Sequence, residues 1–320
     1  MSRSDTQREY SAAGYDLRPL GDQRIAELAG SLSADEREIL LQKGTERAFC
    51  GAFYNQKEPG RYTCRLCGLP LFSSMAKFDS GTGWPSFFEP VDQAHIREER
   101  DTSGGRIRTE ILCRRCGSHL GHVFNDGPEP TGLRYCLNSA ALRFHANGTT
   151  LPAESHPVAT RVAYFAGGCF WGVEDRFQQV PGVVDAVSGY QGGHLPDPDY
   201  RRVCNGDTGH AESVRVTFDA GRVTYRQLLQ VFFELHDPTQ VNRQGPDVGA
   251  QYRSAVFPID DSQRAEAKAF LSEMQQSERF RGRSIATTIE PVGVFYEAEE
   301  YHQDYHARHG GSCAIPSTLA

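Results

Sequence analysis

Nine cysteines in a chain of 320 residues are the side chains best able to do chemistry here, and their spacing sorts them into kinds. Cys64-Arg65-Leu66-Cys67 and Cys113-Arg114-Arg115-Cys116 are two CxxC pairs with 45 residues between them. Each pair closes a tight turn whose thiolates can face one ion, and two such knuckles supply the four-sulfur set of structural zinc. A redox dithiol is the other use of CxxC. Two copies in one stretch favour the metal, and four thiolates leave no open position for a substrate, so the metal expected is structural. The long separation puts a subdomain between the knuckles.

Two further cysteines sit in surroundings that suit a nucleophile. Cys136, in Gly132-Leu133-Arg134-Tyr135-Cys136-Leu137-Asn138, has His119 and His122 upstream. Cationic and hydrogen-bonding neighbours of this kind favour a thiolate. The plain alternative is a buried strand cysteine with histidines satisfying a β core. Cys169 lies in Gly167-Gly168-Cys169-Phe170-Trp171-Gly172-Val173-Glu174, after a strand-like run and before Val173, Phe177 and Val180 at helical spacing. That places the thiol at a helix N-terminus, where unpaired backbone N–H groups and the macrodipole stabilise its anion. A tight strand-to-helix turn with two core aromatics is the structural alternative.

The elements that must position these groups change character along the chain. Residues 1–30 read as a polar tail. Ser33 and Glu36 then form a capping box ahead of Ile39, Leu40 and Leu41, with Leu32 as a staple and Gly44 as the stop. From Arg61 to Phe144 short strands alternate with Gly and Pro, among them Arg61–Cys64, Arg106–Leu112, Leu133–Leu137 and Ala141–Phe144, and Ile107, Thr109 and Ile111 are expected on one face. A linker is expected over residues 147–160, which contain Asn147-Gly148, Pro152 and Pro157. Beyond it, strands such as Arg161–Ala166 and Val214–Phe218 mix with helices, one capped by Thr224 and one by Asp261 or Ser262. The fold class expected is two domains: a mostly-β, zinc-containing one with antiparallel sheets over residues 31–146, and an α+β sandwich with a ferredoxin-like core over residues 161–320.

Composition narrows the functions. The hydrophobic fraction of 38% is ordinary, and no run of about 18 apolar residues could span a bilayer. Met1 to Tyr15 lacks the apolar stretch of a secretory signal, so the address expected is cytoplasmic and no membrane is involved. An odd number of cysteines in a reducing compartment points to metal binding or redox work rather than structural bridges. A net charge of −7 offers no broad attraction to phosphate backbones, and no nucleic acid is expected as a partner.

Several motifs together carry a resemblance. Gly44-Thr45-Glu46, both CxxC pairs, Gly81-Thr82-Gly83-Trp84-Pro85-Ser86-Phe87, His119 to Phe124 and Arg134 to Ser139 closely resemble the zinc-containing methionine-R-sulfoxide reductases over about 100 residues. The resemblance implies Cys136 as nucleophile and Trp84 and Phe124 against the substrate's methyl group. It implies that His119, His122 and Asn138 polarise or protonate the sulfoxide oxygen, and Arg134 is expected to hold down the thiol's pKa. Many relatives carry a resolving cysteine where this chain has Thr82, which makes Cys50 the candidate.

Residues 161 to 315 are similar to methionine-S-sulfoxide reductases, through Gly167 to Glu174, Gly189-Tyr190-Gln191-Gly192-Gly193, Tyr200 with Val203-Cys204, Gly206 to Glu212, Gln251 to Ser254 and Tyr301-His302-Gln303. Carried over, Cys169 attacks sulfur, Phe170 and Trp171 cage the methyl group, and Glu212, Tyr200 and Tyr252 hydrogen-bond the oxygen, with Asp247 as a supporting carboxylate. Cys313 is the candidate resolving residue, and Cys204 is either a second relay or, as the favoured reading, a bystander packed near the site. The resemblance implies repair of oxidised proteins or peptides, a sulfenic acid and a disulfide at each site, and thioredoxin as reductant in defence against oxidative stress. Zinc is the only cofactor expected. Two rival readings stand beside it: a zinc ribbon contacting nucleic acid through Arg65, Arg114 and Arg115, and a cysteine hydrolase with His119 or His122 as base.

Overall fold

The computed structural model describes residues 9–310 and falls into two units, Arg8–Val158 and a second beginning at Ala159. Cys313 lies outside the described residues.

In the first unit the elements in order are α1 Asp22–Ala29, α2 Ala34–Gln42, β1 Gly60–Cys64, β2 Pro70–Ser73, β3 Lys77–Phe78, β4 Ser86–Phe87, β5 Ile96–Asp101, β6 Arg108–Cys113, β7 His119–Phe124, β8 Arg134–Leu137 and β9 Leu142–Ala146. They make a three-stranded sheet, β2-β1-β9, and a six-stranded sheet, β3-β4-β8-β7-β6-β5, with every pairing antiparallel. Tyr62, Phe72, Phe87 and Tyr135 are fully buried between them, with Tyr62 and Phe72 ring centroids 5.0 and 4.7 Å from Phe87. Large aromatic rings of this kind dominate the apolar burial of a core. The Ser33 and Glu36 capping box forms on α2 as read, and the helix ends at Lys43, which is left-handed at φ 60°.

Several expectations for this unit are corrected by packing. Part of the stretch read as a tail folds as α1, and Tyr10 and Leu17 within it are buried. Within the stretch read as a linker, Ser155 is buried and donates to Gly68 O, while Glu154 O accepts from Arg115. Small polar residues gave no periodic signal there because they are held through backbone carbonyls. Ile107 is 72% exposed, since β6 begins only at Arg108, and it is Glu110, not a third apolar residue, that is buried beside Ile111.

The second unit continues with β10 Thr160–Gly167, α3 Phe170–Gln178, β11 Val183–Gln191, α4 Tyr200–Asn205, β12 Ala211–Asp219, α5 Tyr225–Leu235, β13 Arg243–Gln244, β14 Asp247–Val248, β15 Ser254–Val256, α6 Asp261–Gln276, β16 Thr288–Ile289, β17 Tyr296–Glu297 and α7 Tyr305–His309. Its six-stranded sheet runs β16-β15-β10-β12-β11-β17, antiparallel except for β15 with β16. One face carries a core in which Phe165 of β10 meets Phe177 of α3 and Phe232 of α5 at 4.8 and 5.1 Å between ring centroids. Thr224 and Gln227 form a capping box on α5. The cap of α6 is Asp260, one residue before the expected position, because its carboxylate reaches Gln263 N.

Candidate active sites

The two CxxC pairs are the turns that join β1 to β2 and β6 to β7. In each, the glycine after the second cysteine is left-handed and donates to the first cysteine's carbonyl, Gly68 to Cys64 and Gly117 to Cys113. Turns so formed bring the four Sγ atoms within 4.8 Å of one another, all buried, with Cys64 to Cys116 and Cys67 to Cys113 each at 3.5 Å. Four buried thiols converging on one point are a donor set that can hold a metal ion. The arginines beside them are engaged: Arg115 donates to the carbonyls of Asp16, Cys67 and Glu154, and Arg65 pairs with Glu36 at 2.7 Å. Two of the three arginines on which the nucleic-acid reading depended, Arg65 and Arg115, are thus engaged within the unit.

Cys136 lies on β8 between two strands, in register with Ser86 on one side and His122 on the other. Gly121 permits this closeness, since a Cβ there would stand 2.1 Å from Cys136 O. A cavity of about 160 Å³ opens at the thiol, lined among others by Trp84, His122, Phe124, Cys136 and Asn138. His119 is not part of that lining and is 2% exposed. Its ring packs against His122 at 5.5 Å.

Two carboxylates missed in the sequence hold these histidines. His119 Nδ1 donates to Glu110 at 2.7 Å, and Lys43 Nζ donates to the other Glu110 oxygen at 2.6 Å. His122 Nε2 donates to Asp101 at 2.8 Å, where Arg108 also donates. Burial keeps His119 below the usual histidine range against the pull of Glu110, so its unpartnered Nε2 is an acceptor in the neutral ring. Asn138 is committed at both ends of its amide: Oδ1 accepts from Glu46 N and Nδ2 donates to Leu120 O. The Glu46 carboxylate returns to Ser139 N and Ala140 N, and its carbonyl takes the Trp84 indole N–H at 3.1 Å. Glu46 is thus a hub, signalled in the sequence only by its place in the Gly-Thr-Glu run.

Arg134 stacks on the Phe124 ring at 4.4 Å and grips Asp126 with two bonds of 2.9 Å. Burial raises the Cys136 thiol above the usual range, opposed by Arg134 and by a hydrogen bond with Thr82. The expectation of a net low pKa is therefore corrected: Arg134 pulls in the foreseen direction, but desolvation outweighs it. Cys50 is exposed on a turn whose neighbour Phe49 donates to Gly83 O at 2.8 Å, next to Thr82.

Cys169 is the N-cap of α3, reached through Gly167 and a left-handed Gly168. A Cβ on Gly167 would meet Phe232 at 2.7 Å and one on Gly168 would meet Gln244 at 2.7 Å, so the turn tolerates only glycine. Glu212 of β12 is 1% exposed and accepts from Phe170 N, an amide of that helix start, at 3.0 Å. Burial, helped by the nearby Asp247 carboxylate, pushes Glu212 up to about 8. Tyr200 and Tyr252 are both raised well above the usual tyrosine range, first by burial. Glu212 acts on both rings, and Asp247 and Cys169 act on Tyr252. Cys204 lies beside this group and hydrogen-bonds Tyr200.

The aromatic wall divides in two. Phe170 is 1% exposed and belongs to the core, whereas Trp171 is partly exposed, stacked on Tyr305 at 3.7 Å with the rings 4° apart. Trp171 Nε1 donates to His302 Nδ1 at 3.0 Å, and His302 packs against Tyr200 at 4.4 Å. His302, the middle residue of Tyr301-His302-Gln303, thus links Trp171 to Tyr200, a role its motif does not signal.

Comparison with known proteins places these geometries. The family described as SelR domain matches residues 32–146, and the family described as peptide methionine sulfoxide reductase matches residues 161–318. Peptide methionine sulfoxide reductase MsrB of Xylella fastidiosa is 59% identical over 142 residues, 44% of this chain and 92% of that protein. MsrA of Methanoculleus marisnigri is 56% identical over 149 residues, 47% of this chain and 90% of that protein. Among solved structures, Mxr1 from Saccharomyces cerevisiae in reduced form aligns with a TM-score of 0.46 at 39% identity, over 49% of this chain and 90% of that one. The chain belongs to the peptide methionine sulfoxide reductases, with an MsrB unit followed in the same polypeptide by an MsrA unit.

Proposed function

We propose that the two units reduce opposite epimers of methionine sulfoxide in oxidised proteins and peptides, the R form at Cys136 in residues 31–146 and the S form at Cys169 in residues 161–320. What supports this reading is that each thiol lies beside a proton-carrying side chain and an aromatic wall of its own. Cys136 shares a cavity with His122, Trp84 and Phe124, and Cys169 caps the helix whose Phe170 amide bonds Glu212 and whose next residue is Trp171. Sulfoxide sulfur is chiral, so a rigid wall that takes the methyl group on one side suits one epimer.

At each site a thiolate, the sulfoxide and a proton yield methionine and a cysteine sulfenic acid as the S–O bond breaks. Glu212, with Tyr200 and Tyr252, serves the oxygen at the second site, and burial, helped by Asp247, favours its protonated form. At the first site His122, backed by Asp101, serves it, with His119 and Glu110 packed behind the His122 ring, Asn138 positioned by Glu46 and Arg134 assisting the thiolate. A second thiol then displaces the hydroxyl as water to leave a disulfide: Cys50 for Cys136, supported by the contact of Phe49 with the Thr82 loop, and Cys313 for Cys169. Thioredoxin, as an external dithiol, returns the two electrons by exchange. A reducing cytoplasmic compartment suits thiols used this way.

Zinc is the metal we assign to Cys64, Cys67, Cys113 and Cys116. Tetrahedral zinc thiolates at about 2.3 Å require sulfurs about 3.8 Å apart, close to the separations seen. It would cross-link the two knuckles. For the second unit, β10-α3-β11-β12-α5-β15 with sheet order β15-β10-β12-β11 supports a ferredoxin-like reading.

Turnover of each purified epimer by wild type, Cys136→Ser and Cys169→Ser tests the assignment. Each variant should lose one epimer only; loss of both from either single substitution would sink it. Cys50→Ser and Cys313→Ser should each keep one stoichiometric turnover but fail to recycle with thioredoxin.

A further inference from the structure

Glu174 is a buried carboxyl that the reaction above does not use. It sits on α3 three residues after Trp171 and four before Gln178, so the three share one helix face, and it is 2% exposed. Ser188 Oγ of β11 donates to Glu174 Oε2 at 3.1 Å, and the backbone of Ser188 and of Asp304 also hydrogen-bonds the carboxyl. Asp304 is the left-handed residue that opens α7, and its carboxylate accepts from Gln178 at 2.8 Å. The next residue is Tyr305, which stacks flat on Trp171. Gln303 completes the attachment, accepting from Ser188 N and donating to Ser188 O and Ala298 O.

We infer that Glu174 is a positioning residue for the S-sulfoxide site, its ionised carboxylate fixing the Asp304 backbone so that Tyr305 holds Trp171 against the methyl group. The inference rests on the assignment of this unit to methionine sulfoxide. A carboxylate accepts an N–H more strongly than a neutral carboxyl does, so protonation loosens the Asp304 attachment and with it the ring stack. Asp304 opposes the ionisation of Glu174, and Arg308, itself engaged by Glu300, favours it. Burial is the largest influence and pushes Glu174 up to about 7. The wall of the cage is therefore firm above neutrality and loosened below it, which alters substrate affinity more than the chemical step.

The chain has two tryptophans, Trp84 and Trp171, so a Trp84→Phe background isolates the indole of interest. Its fluorescence should change with a midpoint near pH 7, and Glu174→Gln should abolish that transition. Asp304→Asn, which removes the like charge, should move the midpoint to lower pH. His302, bonded to Trp171 and held below the usual histidine range, would give a more acidic transition that survives Glu174→Gln. In parallel, KM for a methionine-S-sulfoxide peptide should rise about fivefold on going from pH 8 to pH 6 in wild type and stay flat in Glu174→Gln, with kcat changing less. A transition near pH 7 that persists in Glu174→Gln, or that Asp304→Asn leaves in place, overturns the inference. Because fluorescence requires no turnover, a failure of the sulfoxide assignment would leave this readout intact.

Discussion

The Glu212 carboxyl accepts a hydrogen bond of 3.0 Å from Phe170 N, at the start of the helix that Cys169 caps. Acid and thiol are thereby held to the same turn of backbone. With Glu212 pushed up to about 8, one oxygen takes the amide while the other carries the proton at neutral pH. Glu212→Gln should lower kcat for the S epimer by about 100- to 10,000-fold, the usual worth of a positioned acid. The sign of the pH effect follows: the useful form is the protonated one, so wild-type turnover falls as pH rises through about 8. Unchanged turnover at neutral pH in Glu212→Gln would mean that another group supplies the proton.

Arg134 opposes the burial that raises the Cys136 thiol. Arg134→Met keeps much of the bulk over Phe124 and removes the charge, so the thiol should ionise at still higher pH. The rising limb of kcat/KM for the R epimer is expected to move up by about one pH unit, the lower end of the effect of a neighbouring cation. Rates of alkylation of Cys136 against pH would read the same shift without substrate.

Glu110 joins His119 to Lys43 inside the first unit. Its pKa is lowered, chiefly by the hydrogen bonds from Lys43 and His119 that overcome burial, so its contribution to stability is present above the ordinary carboxylate range and is lost as pH falls through the lower folded value. Glu110→Gln should cost about 1–3 kcal/mol in chemical denaturation of this unit. It should also slow R-epimer turnover by about 10- to 100-fold by misplacing the histidine pair. S-epimer turnover in the same sample serves as the internal control and should not move.

Removing the metal should affect the units unequally. Cys113→Ser opens the four-sulfur cluster, and a strong chelator on the wild type should act in the same way. Since structural zinc sites supply folding free energy directly, the cooperative melting transition of the first unit should weaken or vanish while that of the second persists. R-epimer activity is expected to decline with it. Equal loss of both activities would show that the cluster supports more than its own unit.

What the sequence determined by itself is everything set by neighbours a few residues apart. The CxxCG knuckles, the Ser33–Glu36 and Thr224–Gln227 capping boxes, and the Gly-Gly-Cys turn into α3 are local geometries, dictated by left-handed glycines and by side chains reaching backbone within one turn. The motifs around Cys136 and Cys169 were legible for the same reason. What only the tertiary structure decided is which distant groups share a buried space. Glu110 reads as the outward residue of an alternating strand, yet it is buried because Lys43, 67 residues earlier in the chain, folds over to meet it. Asp101 behind His122, Glu46 under Asn138, and Glu174 beneath the Trp171 and Tyr305 stack are of the same kind. For Glu110 and Glu174 desolvation acts on the carboxyl, and desolvation is a property of the packed whole. Hence the sequence could nominate Cys136 and Glu212, but only the fold could say that burial raises the first against Arg134 and pushes the second up to about 8.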